Sequence, residues 1–125
     1  MKMQGLGRHV LADVYGCEFR VLNDLEKIRE ILVSAATAAG AEVRETAFHR
    51  FSPQGVSGVV VISESHIAIH TWPELGYAAL DVFTCGERVD PWVATDAIVK
   101  DFKAVQVTAS EIKRGIFSRS QECAG

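Results

Sequence analysis

The stretch Ser57–Cys85 reads SGVVVISESHIAIHTWPELGYAALDVFTC and decides the fold of this 125-residue chain. Three runs rich in apolar and β-branched residues lie within it, at 57–63, 66–72 and 76–85. Short segments that contain polar residues or proline separate the runs, which is typical of strands joined by consecutive antiparallel hairpins. The middle of the chain is therefore predicted to form one antiparallel sheet.

Two helices are predicted on either side of this stretch. The first spans residues 24–39, where apolar residues recur at helical spacing and Asn23 with Glu26 forms a start similar to a capping box. The second begins at Asp90-Pro91, because Asp is a favoured N-cap and Pro is favoured at the first helical position.

Three further strands, at 8–15, 41–51 and 104–109, give the order β-α-β-β-β-β-α-β. The expected fold is α+β: a two-layer α/β sandwich in which an antiparallel sheet carries both helices on one face. Residues 1–112 are predicted to form a single domain. Residues 113–125 are mostly polar and are predicted to be a flexible tail.

Composition limits the possible partners. Hydrophobic residues make up 48% of the chain, enough for the core of one domain, although a domain this small leaves much surface for oligomerisation. The net charge is −3 and the basic residues are scattered, so no nucleic-acid or membrane partner is expected. No run reaches transmembrane length and no signal-peptide segment is recognisable, so the expected location is cytoplasmic.

Neither a disulfide framework nor a metal site is expected. The three cysteines, Cys17, Cys85 and Cys123, are odd in number and form no CxxC pair. His66 and His70 would lie roughly 13 Å apart on one strand, which is too far for both to bind one ion.

The residues that could take part in catalysis or substrate binding are concentrated in four segments. These are Phe48–Gly58, Ile62–His66, His70–Glu74 and Phe83–Gly86. Together they closely resemble the short prokaryotic S-adenosylmethionine decarboxylases, a family of self-cleaving, pyruvoyl-dependent enzymes. The succession Ser-Glu-Ser-His, His-Thr-Trp-Pro-Glu and Thr-Cys-Gly is highly specific, and the resemblance extends from Gly7 to about Phe102.

This resemblance implies that the chain cuts itself between Glu64 and Ser65. Ser65 would attack the carbonyl group of Glu64 in a turn that holds the peptide strained and exposed. The products would be a β chain of residues 1–64 and an α chain of residues 65–125 that begins with a covalent pyruvoyl group. That group would form a Schiff base with S-adenosylmethionine and accept electrons as CO2 leaves, without a metal.

The resemblance also implies roles for individual side chains. His70 is expected to act as the base for self-cleavage and Cys85 as the proton donor to the substrate carbanion. Ser57 pairs near Trp72 in the first predicted hairpin, so it is expected to lie with His70 and support its role in cleavage. Aromatic faces and a carboxylate suit a cationic sulfonium nucleoside. The residues implied to bind it are Phe51, Trp72 and Glu74.

The predicted hairpins distribute these residues unevenly. In the predicted ladder Ser65 faces Phe83, so Cys85 lies roughly 5–8 Å from Ser65. His70 is five residues further along the strand, roughly 16 Å from Ser65. A two-fold homodimer in which each site borrows His70 from the partner removes this difficulty. The family resemblance likewise implies active sites shared across a dimer interface.

Two alternatives stay open. A pyruvoyl group on this scaffold could instead decarboxylate arginine or ornithine, since it acts on any amino acid whose amine it reaches. A non-catalytic α+β dimerisation module could retain the motif residues and would remain one intact chain. Decarboxylation of S-adenosylmethionine would produce the aminopropyl donor for spermidine synthesis.

Overall fold

The computed structural model describes residues 4–117. In chain order the elements are β1 (Gln4–Tyr15), α1 (Phe19–Leu22), α2 (Leu25–Ala38), β2 (Val43–Arg50), β3 (Val56–Ile62), β4 (Ser65–Trp72), a 3-10 turn (Pro73–Leu75), β5 (Tyr77–Cys85), α3 (Pro91–Asp101) and β6 (Gln106–Phe117). The six strands form one sheet in the order β2-β3-β4-β5-β1-β6, and every pairing is antiparallel. The predicted α+β fold class is confirmed, and α1 is one short helix more than was predicted.

The helices cover one face of the sheet. Leu80 and Val82 of β5 are buried on this side, where they join Leu32 of α2 and Ile98 of α3 in one core cluster. The residues of β5 that alternate with the buried ones are only partly buried. We call the side under the helices the helix-covered face and the other side the open face. No helix within residues 4–117 is long and apolar enough to cross a membrane.

The start of α2 differs by one residue from the prediction. Asp24, not Asn23, is the N-cap, and its side chain accepts a hydrogen bond from the Lys27 N–H at 3.1 Å. Asn23 instead accepts from the Gly55 N–H at 3.0 Å and fixes the loop before β3. The start of α3 is as predicted, since Asp90 caps the helix.

The connection between β4 and β5 contains one residue more than was predicted. Trp72 pairs with Tyr77, and His66 pairs with Phe83. The cause is Gly76, which has a φ of +62° and closes the 3-10 turn in a left-handed conformation that glycine adopts without strain. The next position of the ladder therefore places Ser65 opposite Thr84 rather than opposite Phe83.

The last strand is much longer than predicted. β6 pairs with β1 from Gln106 to Phe117, so the expectation of a flexible tail is wrong for residues 113–117, while 118–125 lie outside the described residues. The strand is exposed over most of its length, which explains its polar sequence. A contact distant in sequence holds it: Arg8 forms a two-pronged ion pair with Glu111 at 2.8 and 3.0 Å.

Candidate active site

The predicted cleavage point is a strained turn. Ile62 pairs with Ser65, so Ser63 and Glu64 form a two-residue connection between β3 and β4. The Ser63 N–H donates to the Glu42 carbonyl oxygen at 2.9 Å, which fixes one side of the turn. Glu64 has a φ of +71°, a left-handed conformation that costs a residue with a side chain about 1–2 kcal/mol. The strained residue thus supplies the carbonyl group of the Glu64–Ser65 peptide.

The Ser65 hydroxyl is available for reaction. Its oxygen is buried and has no hydrogen-bond partner anywhere in the part of the chain that the structure describes. Ser65 has the same parity along β4 as the buried Ile67 and Ile69, so its side chain belongs to the helix-covered face. A hydroxyl that is bound to no other group can turn towards the adjacent carbonyl carbon without first breaking a hydrogen bond.

Cys85 lies near Ser65, within the two residues across the ladder that the sequence predicts. It pairs with Gly7 of β1 and follows Thr84 directly, and its Sγ is 3.3 Å from the Leu6 carbonyl oxygen.

Ser57 and His70 form a contact on the open face. They are direct partners in the β3–β4 ladder, and the Ser57 Oγ lies 2.8 Å from the His70 Nδ1. The predicted hairpin pairs Ser57 near His70, and the structure places the two side by side. The hydroxyl group can hold the imidazole ring in one orientation, with Nε2 directed away from β3.

Ser65 and His70 are not brought together within one chain. They are five residues apart on β4, roughly 16 Å at the rise of an extended strand. Their side chains also have opposite parity, so Ser65 lies on the helix-covered face and His70 on the open face. A single chain therefore contains a nucleophile and a candidate base that cannot contact each other.

The predicted substrate-binding residues lie at the His70 end of the strand. Trp72 is 40% exposed and its ring stacks on that of Tyr77 at 5.2 Å between centroids; Tyr77 in turn stacks on Tyr15 at 5.4 Å. Phe51 is also exposed and contacts His49 edge to face at 4.6 Å.

Glu74 is the last of these residues. It lies in the exposed 3-10 turn directly after Trp72. We call the region of Glu64, Ser65 and Cys85 the cleavage end of the sheet. The region of Ser57, His70 and Trp72 is the histidine end.

Each end is fixed by a hydrogen-bonded carboxylate. Near the cleavage end, Glu111 accepts hydrogen bonds from Arg8 and from the Trp92 indole N–H, and these lower the pKa of Glu111 to about 2. Near the histidine end, the Tyr77 hydroxyl donates to Asp13 at 2.7 Å, which raises the pKa of Tyr77 to about 12. Both carboxylates link strands that are distant in sequence.

Comparison with known proteins identifies the family. The family model described as S-adenosylmethionine decarboxylase matches residues 8–115, which is most of the chain and includes every site residue above.

The chain belongs to the S-adenosylmethionine decarboxylase family.

Curated relatives in this family resemble the chain over nearly its whole length. The S-adenosylmethionine decarboxylase proenzyme of Moorella thermoacetica is 66% identical over 98% of both chains. That of Pelotomaculum thermopropionicum is 68% identical over 91% of this chain and 90% of its own. The crystal structure of the adenosylmethionine decarboxylase from Aquifex aeolicus superposes with a TM-score of 0.88 at 36% identity, and the match covers 96% of this chain and 99% of that one. The chain is therefore a decarboxylase of this family.

In this member of the S-adenosylmethionine decarboxylase family, Thr84 faces Ser65 across the ladder. Thr84 was not among the site residues predicted from the sequence. Its side chain is 1% exposed, and its hydroxyl has no hydrogen-bond partner among residues 4–117. Its place directly before Cys85 was the signal that could have found it, but the predicted register put Phe83 opposite Ser65. In the same described range, no group of three His, Cys, Asp or Glu side chains gathers as a metal site.

Proposed function

We propose that this chain decarboxylates S-adenosylmethionine with a pyruvoyl group that it makes by cutting its own Glu64–Ser65 bond. The observation that carries the proposal is the cleavage end itself: a left-handed Glu64 directly before a buried serine hydroxyl that has no partner in the described chain. Strain of this kind at a functional turn favours reaction, because forming the tetrahedral centre releases it. The name proenzyme carried by the relatives agrees with a chain that is processed.

The proposed cleavage uses only atoms of the chain and one water molecule. Ser65 Oγ bonds to the carbonyl carbon of Glu64, the C–N bond breaks, and the hydroxyl proton passes to the nitrogen, which leaves an ester. Loss of the α-hydrogen of residue 65 then expels the Glu64 carboxylate. Hydrolysis releases ammonia, so residues 65–125 begin with a pyruvoyl group. When present, this group accepts the electrons of the bond that breaks as CO2 leaves.

His70 is proposed as the base for cleavage, supplied by a second copy of the chain. Its distance from Ser65 and its position on the other face of β4 exclude direct contact within one chain. The open face can accept a partner, because it presents several large apolar side chains to solvent. These include Leu11, Tyr15, Val61, Trp72, Ile112 and Ile116. A two-fold axis could bring the histidine end of one protomer to the cleavage end of its partner. Because Ser65 lies on the helix-covered face, His70 of the partner subunit would have to reach it around the end of the sheet, at the Glu64–Ser65 turn, and not across the open face.

The aromatic row Trp72, Tyr77 and Tyr15 supports a nucleoside substrate. Stacked rings with exposed faces favour adenine, and they also attract a sulfonium cation. We propose that Phe51 and Glu74 complete this binding region. The reduced Cys85 thiol is the proposed proton donor after CO2 leaves, since an unperturbed thiol is mostly protonated at neutral pH. The product would be the aminopropyl donor for polyamine synthesis.

Denaturing gel electrophoresis with intact mass measurement tests the cleavage. The wild-type chain should give two fragments of similar length, one ending at Glu64 and one with a blocked N-terminus, whereas Ser65→Ala should stay whole. Recovery of wild-type protein as one uncut chain would contradict the proposal.

Release of CO2 under reducing conditions tests the substrate. S-adenosylmethionine should be turned over, and arginine and ornithine should not. Turnover of ornithine in the absence of any reaction with S-adenosylmethionine would keep the cofactor but overturn the substrate. The family assignment favours S-adenosylmethionine over both amino acids.

A further inference from the structure

Two buried hydroxyl groups of the described chain lack any hydrogen-bond partner, those of Ser65 and Thr84. Thr84 is the more enclosed, with 1% of the residue exposed. An unpaired buried hydroxyl lowers stability, since it has lost its hydrogen bonds to water and gained none in the protein. Such groups are rare in folded proteins and call for a specific explanation.

The sheet places these two hydroxyl groups beside each other. The paired register of β4 and β5 ends at His66 opposite Phe83, and the next position places Ser65 opposite Thr84. Both residues have the parity of buried neighbours, Ile67 on β4 and Val82 on β5, so both side chains lie on the helix-covered face. Directly opposed residues have Cβ atoms about 4.5–5.5 Å apart, the spacing at which Thr and Ser form cross-strand hydrogen bonds.

The charged residue opposite Thr84 on β1 is already paired. Arg8 faces it from β1, but the guanidinium group of Arg8 is bound to Glu111 and lies 3.7 Å from Asp90. A hydroxyl that is enclosed, unpaired and next to the nucleophile is poised to receive a hydrogen bond only when Ser65 turns about its Cα–Cβ bond.

We propose that Thr84 is a positioning residue for self-cleavage. Its Oγ1 accepts the hydrogen of the Ser65 hydroxyl and so directs a lone pair of Ser65 Oγ at the carbonyl carbon of Glu64. Thr84 orients Ser65 but does not remove its proton. As Oγ closes on the carbonyl carbon, the proton passes to the proposed base, His70 of the partner subunit, and then to the nitrogen of residue 65 as the C–N bond breaks and the ester forms. Because the hydrogen bond is absent in the resting chain and forms on the way to the transition state, it lowers the barrier rather than stabilising the fold. The inference rests on the proposed function.

The test separates rate from stability. Thr84→Val keeps the shape of the side chain and removes its hydroxyl. Self-cleavage, followed on denaturing gels, should slow at least tenfold, whereas Thr84→Ser should cut at close to the wild-type rate. In a Ser65→Ala background, which cannot cut, Thr84→Val should leave the melting temperature unchanged or raise it, because an unpaired polar group is replaced by a methyl group.

Thr95→Val is the matched control. Thr95 is also buried, but its hydroxyl donates to the Pro91 carbonyl oxygen at 2.7 Å. Its loss should lower the melting temperature and leave the cleavage rate of the folded chain unchanged.

Three results would overturn the role of Thr84. They are wild-type cleavage in Thr84→Val, equal slowing in Thr84→Ser and Thr84→Val, and a lowered melting temperature of the Thr84→Val, Ser65→Ala chain. Failure of the wild-type chain to cut at all is a separate result, since it would overturn the proposed function itself.

Discussion

In the proposed mechanism, the two ends of β4 supply different parts of one active site. The cleavage end has a strained Glu64 and an unpaired Ser65 hydroxyl, but the proposed base, His70, is out of its reach on the same chain. The histidine end has His70 beside Ser57 and an exposed aromatic row, but it lies far from the cleavage point. The difference teaches that one copy of the chain cannot by itself assemble the proposed site. A second copy is the simplest way to unite the two ends.

The largest effect is expected when the two ends are separated onto different chains. Ser65→Ala and His70→Ala should each abolish cleavage when expressed alone. Co-expressed, they should form mixed dimers in which the intact Ser65 of one chain meets the intact His70 of the other. Random pairing of equal amounts gives about a quarter of all sites in working form, so about half of the His70→Ala chains should be cut. Absence of cleavage in verified mixed dimers would show that the cleavage end of one chain and the histidine end of another do not act together.

A smaller effect is expected from the orientation of the histidine. Ser57→Ala removes the 2.8 Å contact with His70 Nδ1 and should slow cleavage about tenfold, within the usual range for a misdirected general base. The rate is read from gels over time. Thr46→Ala on the neighbouring strand also deletes an exposed hydroxyl and should have no effect. Equal rates for Ser57→Ala and wild type would remove Ser57 from the histidine end.

Release of strain at the cleavage end should slow self-cleavage about fivefold. Glu64→Gly accepts a positive φ freely, so the roughly 1 kcal/mol of strain is no longer available to the transition state. In the Ser65→Ala background the same change should raise the melting temperature slightly.

Lys103→Gly is the matched control for strain. Lys103 also has a positive φ, +53°, but it lies far along the chain from the turn. Its replacement should raise stability without any change in cleavage. Parallel behaviour of the two glycine variants would show that strain at Glu64 is only structural.

The smallest effects concern the carboxylate hydrogen bonds near each end. Their contributions to stability depend on pH in opposite directions. The pKa of Glu111 is lowered from 4.5 to about 2, so its contribution to stability is complete above 4.5 and is lost as the pH falls towards 2. The pKa of Tyr77 is raised from 10.0 to about 12, so its contribution is complete below 10 and is lost as the pH rises towards 12. Melting curves in the Ser65→Ala background should show that Glu111→Gln flattens only the acid limb and Tyr77→Phe only the alkaline limb. If either variant changed both limbs, the two sets of hydrogen bonds would not be independent.

Much of the fold could be predicted because its signals are local. Periodicity and capping chemistry located α2 and the start of α3, and apolar runs located the central strands. The path of β6 could not be predicted, since it depends on the ion pair between Arg8 and Glu111, which are distant in sequence. β6 mixes polar and apolar residues on both faces, so it carries no regular alternation that would distinguish it from a tail.

Candidate residues for the site could be named from the sequence, whereas their arrangement could not. Family motifs named Ser65, His70 and Cys85, whereas the neighbour of Ser65 depended on the register of β4 and β5. One additional residue in a turn shifts every pair, and the left-handed Gly76 makes that shift here. The position of Thr84 opposite Ser65 therefore emerged only from the ladder of the folded sheet.

The short hairpin between β3 and β4 has a consequence for the lifetime of the processed protein. Cleavage at Glu64–Ser65 would leave the two fragments as adjacent strands in the interior of the sheet, joined by the whole ladder from Ser57–His70 to Ile62–Ser65. While folded, they would hold together almost as before. Once unfolded, the same partners would have to meet by diffusion, because the covalent link that kept them at high effective concentration is gone. Refolding would then depend on protein concentration. The mature protein would stay folded because it unfolds slowly, not because it refolds readily.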